Sequence, residues 1–514
     1  MLFLKLITEF VRLSGECTAE GTFRVVFRSL GKEFPRQVLE EACPNARTGK
    51  RLMRHRYGRI AMQTSFPSSP PHATEEERNR TFRKVAWRIL PFATVVYIFA
   101  WLDRVNVGFA KLTMLSDLGW SDAVYGAGAG IFFWGYFLFE VPSNLLLQKI
   151  GAPKTIMRIA LGWGVVSVLM AWCSQPWHFY VLRFLQGAFE AGLHPGLILY
   201  LTFWLPAHRR SKAIAVFMSA SPIALLMGSP LAAYIMTSMD GVWGHADWQW
   251  LFIIEGIPSI ILGLFAVFAM TAKPSDAKWL SADEKAQIAY ELKQEAEASG
   301  EREHKLSQAL RSRAVWILIL TLFCIITGNA TLSFYGPSLV TAAGIDDLKT
   351  VGWIMSGIFL FGWAGMMVNG WLSDRNRESR WHTACAAAIG ATGLILAALA
   401  QNAGSSTGVI AALAISAAGT MGSIPVFWSL PPRFMSGTAL AGGVAVINSI
   451  ANLAGYFAPQ FLGAIKTATG AYSTGLFIIA GVELIAVLLI LLCIQADRES
   501  APDGIATPGP AKSH

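Results

Sequence analysis

From residue 87 onwards, long apolar runs alternate with short polar segments along the chain. A helix rises ~1.5 Å per residue, so about twenty apolar residues cross the hydrocarbon core of a bilayer. The pattern therefore predicts twelve transmembrane helices. In chain order, predicted spans one to twelve cover about 87–109, 122–147, 153–172, 177–204, 211–237, 248–271, 314–341, 350–372, 383–400, 407–430, 437–465 and 472–494.

The longest polar interruption divides these spans into two groups of six. It contains SADEKAQIAYELKQEAEA, which has helical amphipathicity but no apolar run long enough to span. We therefore predict an all-α membrane protein with two six-helix bundles. The predicted segments are a cytoplasmic tail (1–84), a first bundle (85–272), a cytoplasmic linker with helical content (273–313), a second bundle (314–495) and a second cytoplasmic tail (496–514).

The first tail is polar, with a Pro/Ser cluster at PSSPP and the charged run EEERNRTFRK. Such a composition is typical of a mobile segment. A translation start at Met62 fits the pattern as well as one at Met1. No function is predicted for this segment.

Composition agrees with a membrane class. Hydrophobic residues make up 54% and charged residues 15% of the chain, and the mean hydropathy is +0.45. The net charge of +9 does not indicate nucleic-acid binding, because the basic residues lie in short loops between apolar runs. The six cysteines lack metal-ligand spacing, and no nucleophile constellation or phosphate loop stands out. We predict no metal, no cofactor and no enzymatic activity.

Basic residues collect in alternate loops, which predicts the topology. Lys and Arg are concentrated on the cytoplasmic side of membrane proteins. Lone exceptions in the opposite loops are Lys111, Lys349 and Lys466. Both termini are therefore predicted to be cytoplasmic, in the plasma (inner) membrane. The basic residues that carry this prediction are Arg78, Arg80, Arg83, Lys84, Lys149, Lys154, Arg158, Arg209, Arg210 and Lys212.

The two halves also resemble each other. NLLLQKIGAPK from Asn144 aligns with GWLSDRNRESR from Gly370, an offset of 370 − 144 = 226 positions. Applied to span one, this offset reaches the start of span seven. Internal repeats with a site between them are common in secondary transporters.

Span four carries an unusual charged stripe, RFLQGAFEAGLHPG. Arg183, Gly187, Glu190 and His194 fall at i, i+4, i+7 and i+11, which predicts one helix face. Ionisable residues inside a membrane are costly and indicate a functional site by default. His194 could relay a proton, but a packed histidine is the more frequent case; the glycines indicate close helix packing.

Span one carries a second acidic residue and a second basic residue at the same depth in the membrane. By helix rise, Asp103 lies ~24 Å and Glu190 ~21 Å from the cytoplasmic end of its span. We therefore expect Asp103, Arg104, Arg183 and Glu190 to face one cavity. Salt bridges that only hold helices together are the alternative interpretation.

Four segments resemble the major facilitator superfamily and, within it, the anion:cation symporter family. They are WLDRVNVGFA, YFLFEVPSNLLLQKIGAPK, RFLQGAFEAGLHPG and GWLSDRNRESR. The superfamily's loop motif is complete only in its second copy, at Gly370, Asp374 and Arg375, which we predict to act in gating. In the first copy, Asn144 and Gln148 replace the usual Gly and Asp. Gating there must rest on other contacts.

This resemblance implies roles for particular residues. Arg104 and Arg183 match arginines that bind the substrate carboxylate, and Asp103 and Glu190 match proton-coupling positions. Further positions similar to substrate-contacting ones are Tyr136, Trp428 and Asn448. Tyr335 is a weaker substrate candidate, because Gly336 and Pro337 could break span seven beside it.

The predicted function is proton-coupled import of a small organic anion by alternating access. A sugar acid, a tartrate-like dicarboxylate and an aromatic acid all fit, and the proton gradient supplies the energy. A multidrug or toxin exporter on the same fold is the main alternative, and a non-transporting membrane sensor is a further one. The expected partners are the substrate anion, protons and the lipid bilayer, without nucleic acid, and the protein is expected to be a monomer.

Overall fold

The computed structural model describes residues 74–299, 312–435 and 437–493, which are almost entirely helical. The predicted second tail, most of the first tail and Met62 lie outside the described residues. The N-half contains α1 (Glu75–Leu118), α2 (Asp122–Ile150), α3 (Ala152–Met170), α4 (Pro176–Glu190), α5 (Leu193–Thr202), α6 (Ala207–Met218), α7 (Ala220–Met239) and α8 (Asp247–Ala269). The linker helix is α9 (Ala282–Ser299). The C-half contains α10 (Arg313–Thr341), α11 (Leu348–Asn376), α12 (Arg380–Asn402), α13 (Ser406–Phe427), α14 (Gly437–Ala451), α15 (Ala454–Thr469) and α16 (Ser473–Leu488).

Within the described ranges, ten helical segments are long and apolar enough to cross a membrane. The other two predicted spans, four and eleven, are each broken into two shorter helices, α4 with α5 and α14 with α15. Gly192 separates α4 from α5 with a φ of 85°, a left-handed conformation that glycine adopts without a steric penalty. Span five is also divided at Ser219, but its two helices α6 and α7 together are long and apolar enough to cross a membrane. Twelve spans, three of them divided between two helices, therefore account for the membrane region.

The first helix begins earlier than predicted. Thr74 caps α1: its side-chain oxygen accepts a hydrogen bond from the Glu77 amide (3.3 Å), and the Glu77 carboxylate accepts one from the Thr74 amide (2.8 Å). This reciprocal capping box stabilises the helix start. Residues 75–84, predicted as part of a mobile tail, are thus the first turns of α1.

The linker helix lies against one end of the N-half, called the linker end here. Lys84 in α1 forms an ion pair with Glu284 (2.8 Å), and Arg210 in α6 forms one with Glu295 (3.2 Å). Trp279 also stacks on Trp204, with ring centroids 5.6 Å apart. These contacts fix α9 and the residues just before it to the N-half.

The opposite end of the bundle, called the far end, contains the turn between α1 and α2. The N-half and the C-half contact each other mainly through three helix pairs: α2 with α15, α7 with α11, and α1 with α10. A smaller contact joins α2 to α14. Within the halves, α3 packs on α8, α2 on α4, and α13 on both α11 and α12. This arrangement places α1, α2 and α4 together around the charged residues.

Gly187 permits the close approach of α4 to α2. A Cβ atom there would overlap the carbonyl oxygen of Phe132 in the α2 backbone, which cannot move alone. We therefore expect Gly187→Ala to destabilise the protein by about 1–3 kcal/mol, the usual cost of overpacking. Gly357 in α11 is the matched control, because a Cβ there meets open space. Thermal unfolding in detergent should show a lower melting temperature for Gly187→Ala, and an unchanged one would contradict this packing.

Candidate functional site

An ion pair joins α1 to α4 in the middle of the N-half. Both Arg104 Nε (3.1 Å) and Arg104 Nη2 donate hydrogen bonds to Glu190 Oε1. The Glu190 side chain is 2% exposed and that of Arg104 is 15% exposed. Among the described residues, Glu190 Oε2 has no hydrogen-bond partner. The Glu190 carboxylate is therefore shielded from water, whereas the Arg104 guanidinium remains accessible to a second anion that could compete with Glu190.

Three aromatic rings surround the Arg104 guanidinium. Its central carbon lies 4.9 Å from the Trp101 ring, 5.2 Å from the Phe132 ring and 5.3 Å from the Tyr136 ring. Such contacts stabilise a cation, and they leave the N–H groups in the guanidinium plane able to donate hydrogen bonds to a carboxylate. Tyr136, predicted from the sequence, thus lies beside Arg104.

Arg183 is close to this pair but fully buried. Its Nη1 donates to Gln186 Oε1 (2.8 Å), and its Nη2 donates to the Ala129 carbonyl (3.4 Å). Its guanidinium lies 4.9 Å from the Phe132 ring, which also contacts Arg104. Two positive charges therefore share one aromatic neighbour, but only that of Arg104 is partly exposed.

Asp103 does not face the same cavity, so the expectation of one four-residue cluster is wrong for this residue. Its carboxylate accepts hydrogen bonds from Trp163 Nε1 (2.9 Å), Ser167 Oγ (2.7 Å) and Ser259 Oγ (2.9 Å), on α3 and α8. Consecutive residues in an α-helix point about 100° apart, because a turn holds 3.6 residues. Asp103 and Arg104 consequently face different neighbours although they share a depth.

The polar network around Asp103 includes two residues that the sequence analysis missed. Asn106 Nδ2 lies 3.5 Å from Asp103 Oδ1. Glu255, on α8, is also buried, and within the described chain neither its Oε2 nor Asn106 Oδ1 has a hydrogen-bond partner. Glu255 interrupts apolar span six, so the rule that identified span four would also have identified it.

A comparable carboxylate lies in the C-half. Glu483 in α16 is fully buried and accepts a hydrogen bond from Thr420 Oγ1 (2.7 Å). It follows Glu255 by 483 − 255 = 228 positions, close to the repeat offset of 226. The internal repeat therefore places a buried acid on the last span of each half.

His194 lies on α5, after the break at Gly192, so the prediction that it continues the helix face of Glu190 is wrong. Its Nδ1 shares a hydrogen bond with the Tyr97 hydroxyl (3.0 Å), and its ring packs against both Tyr97 and Phe217, which also contact each other. His194 is thus a packed histidine.

Tyr335 belongs to the far end and not to the surroundings of Arg104. It is fully buried, and its hydroxyl donates to the Pro459 carbonyl (3.1 Å). The expected break in span seven is also wrong, because α10 runs continuously through Pro337. Helix interiors tolerate proline inside a membrane when neighbouring helices satisfy the freed backbone groups.

The other two C-half candidates lie nearer the linker end. Trp428 follows the end of α13 and packs edge-on against Phe427, with centroids 5.4 Å apart. Asn448 precedes Ser449, whose Oγ donates to Glu140 Oε2 (2.6 Å) across the two halves. Glu140 lies one turn after Tyr136 on α2, so this contact brings α14 towards the Arg104 surroundings.

The loop motif lies at the linker end of α11. Arg375 contacts the Trp371 ring at 5.3 Å, and the Asp374 carbonyl accepts a hydrogen bond from the Arg377 amide (3.3 Å). Gly370 faces open space, with no atom near its missing Cβ position. In the incomplete first copy, Asn144 Nδ2 donates to the Glu140 carbonyl (2.9 Å).

Residues 93–459 match the Major Facilitator Superfamily, and the chain belongs to this family. It is 42% identical over 434 residues to a putative tartrate transporter of Agrobacterium vitis, covering 84% of this chain and 95% of the relative. It is 38% identical over 413 residues to a quinolone resistance transporter of Acinetobacter baumannii, covering 79% of this chain and 93% of the relative. The crystal structure of a D-xylose-proton symporter matches the fold, with a TM-score of 0.64 at 15% identity, over 79% of this chain and 97% of that chain.

These matches confirm the predicted fold class and the family. The chain is a multi-pass membrane transporter with the major facilitator fold, and not an enzyme.

Proposed function

We propose that this transporter imports a small organic anion together with a proton, by alternating access of the N-half and the C-half. The Arg104–Glu190 pair carries this proposal. It holds a partly exposed guanidinium against a buried carboxylate whose Oε2 has no hydrogen-bond partner in the described part of the chain. A substrate carboxylate can compete with Glu190 for Arg104, because a guanidinium binds carboxylates through two parallel hydrogen bonds.

Competition between Glu190 and the substrate for Arg104 couples binding of the anion to binding of a proton. When the substrate takes the guanidinium, the Glu190 carboxylate loses its positive partner in a low-dielectric environment. An unpaired buried carboxylate is costly, and taking up a proton removes that cost. Substrate and proton then favour each other's binding, as linkage requires.

Local charges support a carboxylic acid as the cargo. With Glu190 protonated, Arg104 and Arg183 leave two positive charges next to Phe132. A dicarboxylate would neutralise both, and a monocarboxylate one. The name of the Agrobacterium vitis relative, a putative tartrate transporter, supports the same class. The rest of the substrate would contact the Tyr136 hydroxyl and, once the two halves close further, Trp428 and Asn448.

Asp103 is a second candidate for holding a proton. Its carboxylate is buried, and no basic side chain among the described residues forms an ion pair with it. Burial without a positive partner favours the protonated carboxyl, whereas the three hydrogen-bond donors favour the charged form, so the two effects oppose each other. It would act separately from the substrate, through α3 and α8.

Basic residues near the linker end support a topology with both termini in the cytoplasm, and we propose that the protein acts as a monomer in the plasma membrane. The far end then faces outwards. Fusing a fluorescent protein to the C-terminus tests this orientation, because folding of the fusion in the cytoplasm gives fluorescence. A dark fusion with an active periplasmic reporter at the same place would contradict it.

Export of a drug is the second candidate, because a relative is named a quinolone resistance transporter. Two guanidiniums beside the site oppose a cationic cargo. A thermal-shift screen of the purified protein should separate the two functions. We expect stabilisation by tartrate or sugar acids and none by hydrophobic cations. Stabilisation by cations alone would contradict the anion assignment.

A further inference from the structure

Lys111 is a buried lysine at the far end, on α1. Its side chain is 3% exposed, and its Nζ lies 2.5 Å from Asp122 Oδ1 at the start of α2. Lysine is almost never fully buried without a partner. Lys111 is also one of the few basic residues outside the loops that we predict to be cytoplasmic. Its position therefore needs a structural explanation.

The C-half supplies further partners of this ion pair. Lys111 Nζ donates to Ser338 Oγ on α10 (3.1 Å) and to the Tyr472 hydroxyl beside α16 (2.9 Å). The same Tyr472 hydroxyl donates to Asp122 Oδ1 (2.9 Å). We call Lys111, Asp122, Ser338 and Tyr472 the Lys111 cluster.

Aromatic rings and backbone contacts enclose the Lys111 cluster. Lys111 Nζ lies 4.1 Å from the Tyr335 ring and 5.0 Å from the Tyr125 ring. The Tyr125 hydroxyl donates to the Phe334 carbonyl (2.8 Å), and the Ala123 amide donates to Thr467 Oγ1 (3.0 Å). Each of these two hydrogen bonds joins the N-half to the C-half, so the far end is closed.

The division of partners between the halves makes the cluster sensitive to conformation. Lys111 and Asp122 both belong to the N-half, so their ion pair can persist when the halves separate. The hydrogen bonds with Ser338 and Tyr472 can exist only while the far end is closed. Hydrogen bonds to charged groups are stronger than neutral ones, particularly away from water.

We propose that the Lys111 cluster is the latch that holds the far end closed, with the Lys111 charge as its central element. Its cross-half hydrogen bonds favour the far-end-closed state over the open one, and their loss shifts this equilibrium. The latch rests on alternating access in the proposed function, but not on the identity of the substrate or on protons.

Crosslinking across the far end tests this proposal without any substrate. Cysteines replace Ala123 and Thr467, the two residues joined by a 3.0 Å hydrogen bond, in a chain whose native cysteines are replaced by serine. A short bifunctional thiol reagent should crosslink them rapidly in the parent protein. We expect Lys111→Met to slow crosslinking by about tenfold or more, since it removes two charge-assisted cross-half hydrogen bonds.

Tyr472→Phe provides a milder variant that keeps the ring and removes only the hydroxyl. It also removes two cross-half hydrogen bonds, with Lys111 and with Asp122, but it keeps the Lys111 charge and its hydrogen bond to Ser338. We therefore expect it to slow crosslinking by roughly fivefold. Lys349→Met is the matched control, because Lys349 lies exposed in the first turn of α11, outside the Lys111 cluster. It should crosslink at the parent rate.

The proposal is overturned if Lys111→Met and Tyr472→Phe, both folded by their melting temperatures, crosslink as fast as Lys349→Met. It is also overturned if the parent pair does not crosslink, since the far end would then be open. If crosslinking changes as expected while no proton dependence of transport is found, the latch stands and the proton coupling fails.

Discussion

Replacing Arg104 with alanine is expected to reduce uptake of the organic anion by at least about a hundredfold. Arg104 is the partly exposed guanidinium of the site and makes two hydrogen bonds that a substrate carboxylate would take over. Hydrogen bonds to charged groups contribute about 1.5–3 kcal/mol each, and about 1.4 kcal/mol corresponds to a factor of ten in affinity. Initial uptake rates in proteoliposomes measure this loss.

Arg88→Ala is the matched control, because Arg88 lies exposed on the same helix. Its uptake should remain within about twofold of the wild type, as for surface substitutions in general. Arg104→Lys should recover little activity, because lysine cannot bind a carboxylate through two parallel hydrogen bonds. Normal uptake by Arg104→Ala would show that the anion binds elsewhere.

Glu190→Gln is expected to separate substrate exchange from substrate accumulation. Glutamine keeps the shape and the hydrogen-bonding oxygen next to Arg104 but cannot take up a proton. Counterflow between internal and external substrate should therefore stay within a few-fold of the wild type. Accumulation driven by a pH gradient should fall to the level of protein-free vesicles.

The control for this variant is Glu76→Gln, an exposed substitution in the first turn of α1, which should keep both activities. Wild-type uptake should rise as the pH on the substrate side falls, because protons are consumed there, whereas uptake by Glu190→Gln should not respond. A Glu190→Gln protein that still accumulates substrate against a gradient would assign the coupling proton to another group. Asp103 would be the next residue to replace.

The fold could be predicted well from the sequence because membrane spans depend on composition over about twenty residues. Breaks within spans could not, because hydropathy does not respond to backbone dihedral angles. Gly192 ends α4 through one left-handed residue, while the apolar run continues on both sides. The start of α1 was predicted too late for a related reason: the charged run EEERNRTFRK is polar but forms a capped helix.

The site could be predicted only in part. Depth along each span correctly brought Arg104 and Glu190 together, since helix rise is constant. Depth in the membrane does not determine the direction in which a side chain points. The Asp103 side chain points towards α3 and α8 and not towards Glu190. The partners of Lys111 are more than 200 positions away in sequence, apart from Asp122, so no local pattern could indicate them.

The central claim is that an organic anion and a proton move together through the Arg104–Glu190 site. The most direct measurement is uptake of tartrate, or of the acid that stabilises the protein most, into proteoliposomes with an imposed pH gradient, acidic outside. We predict accumulation above the external concentration, abolished by a protonophore and absent in Glu190→Gln. Uptake that is unchanged when the gradient is collapsed would contradict proton coupling.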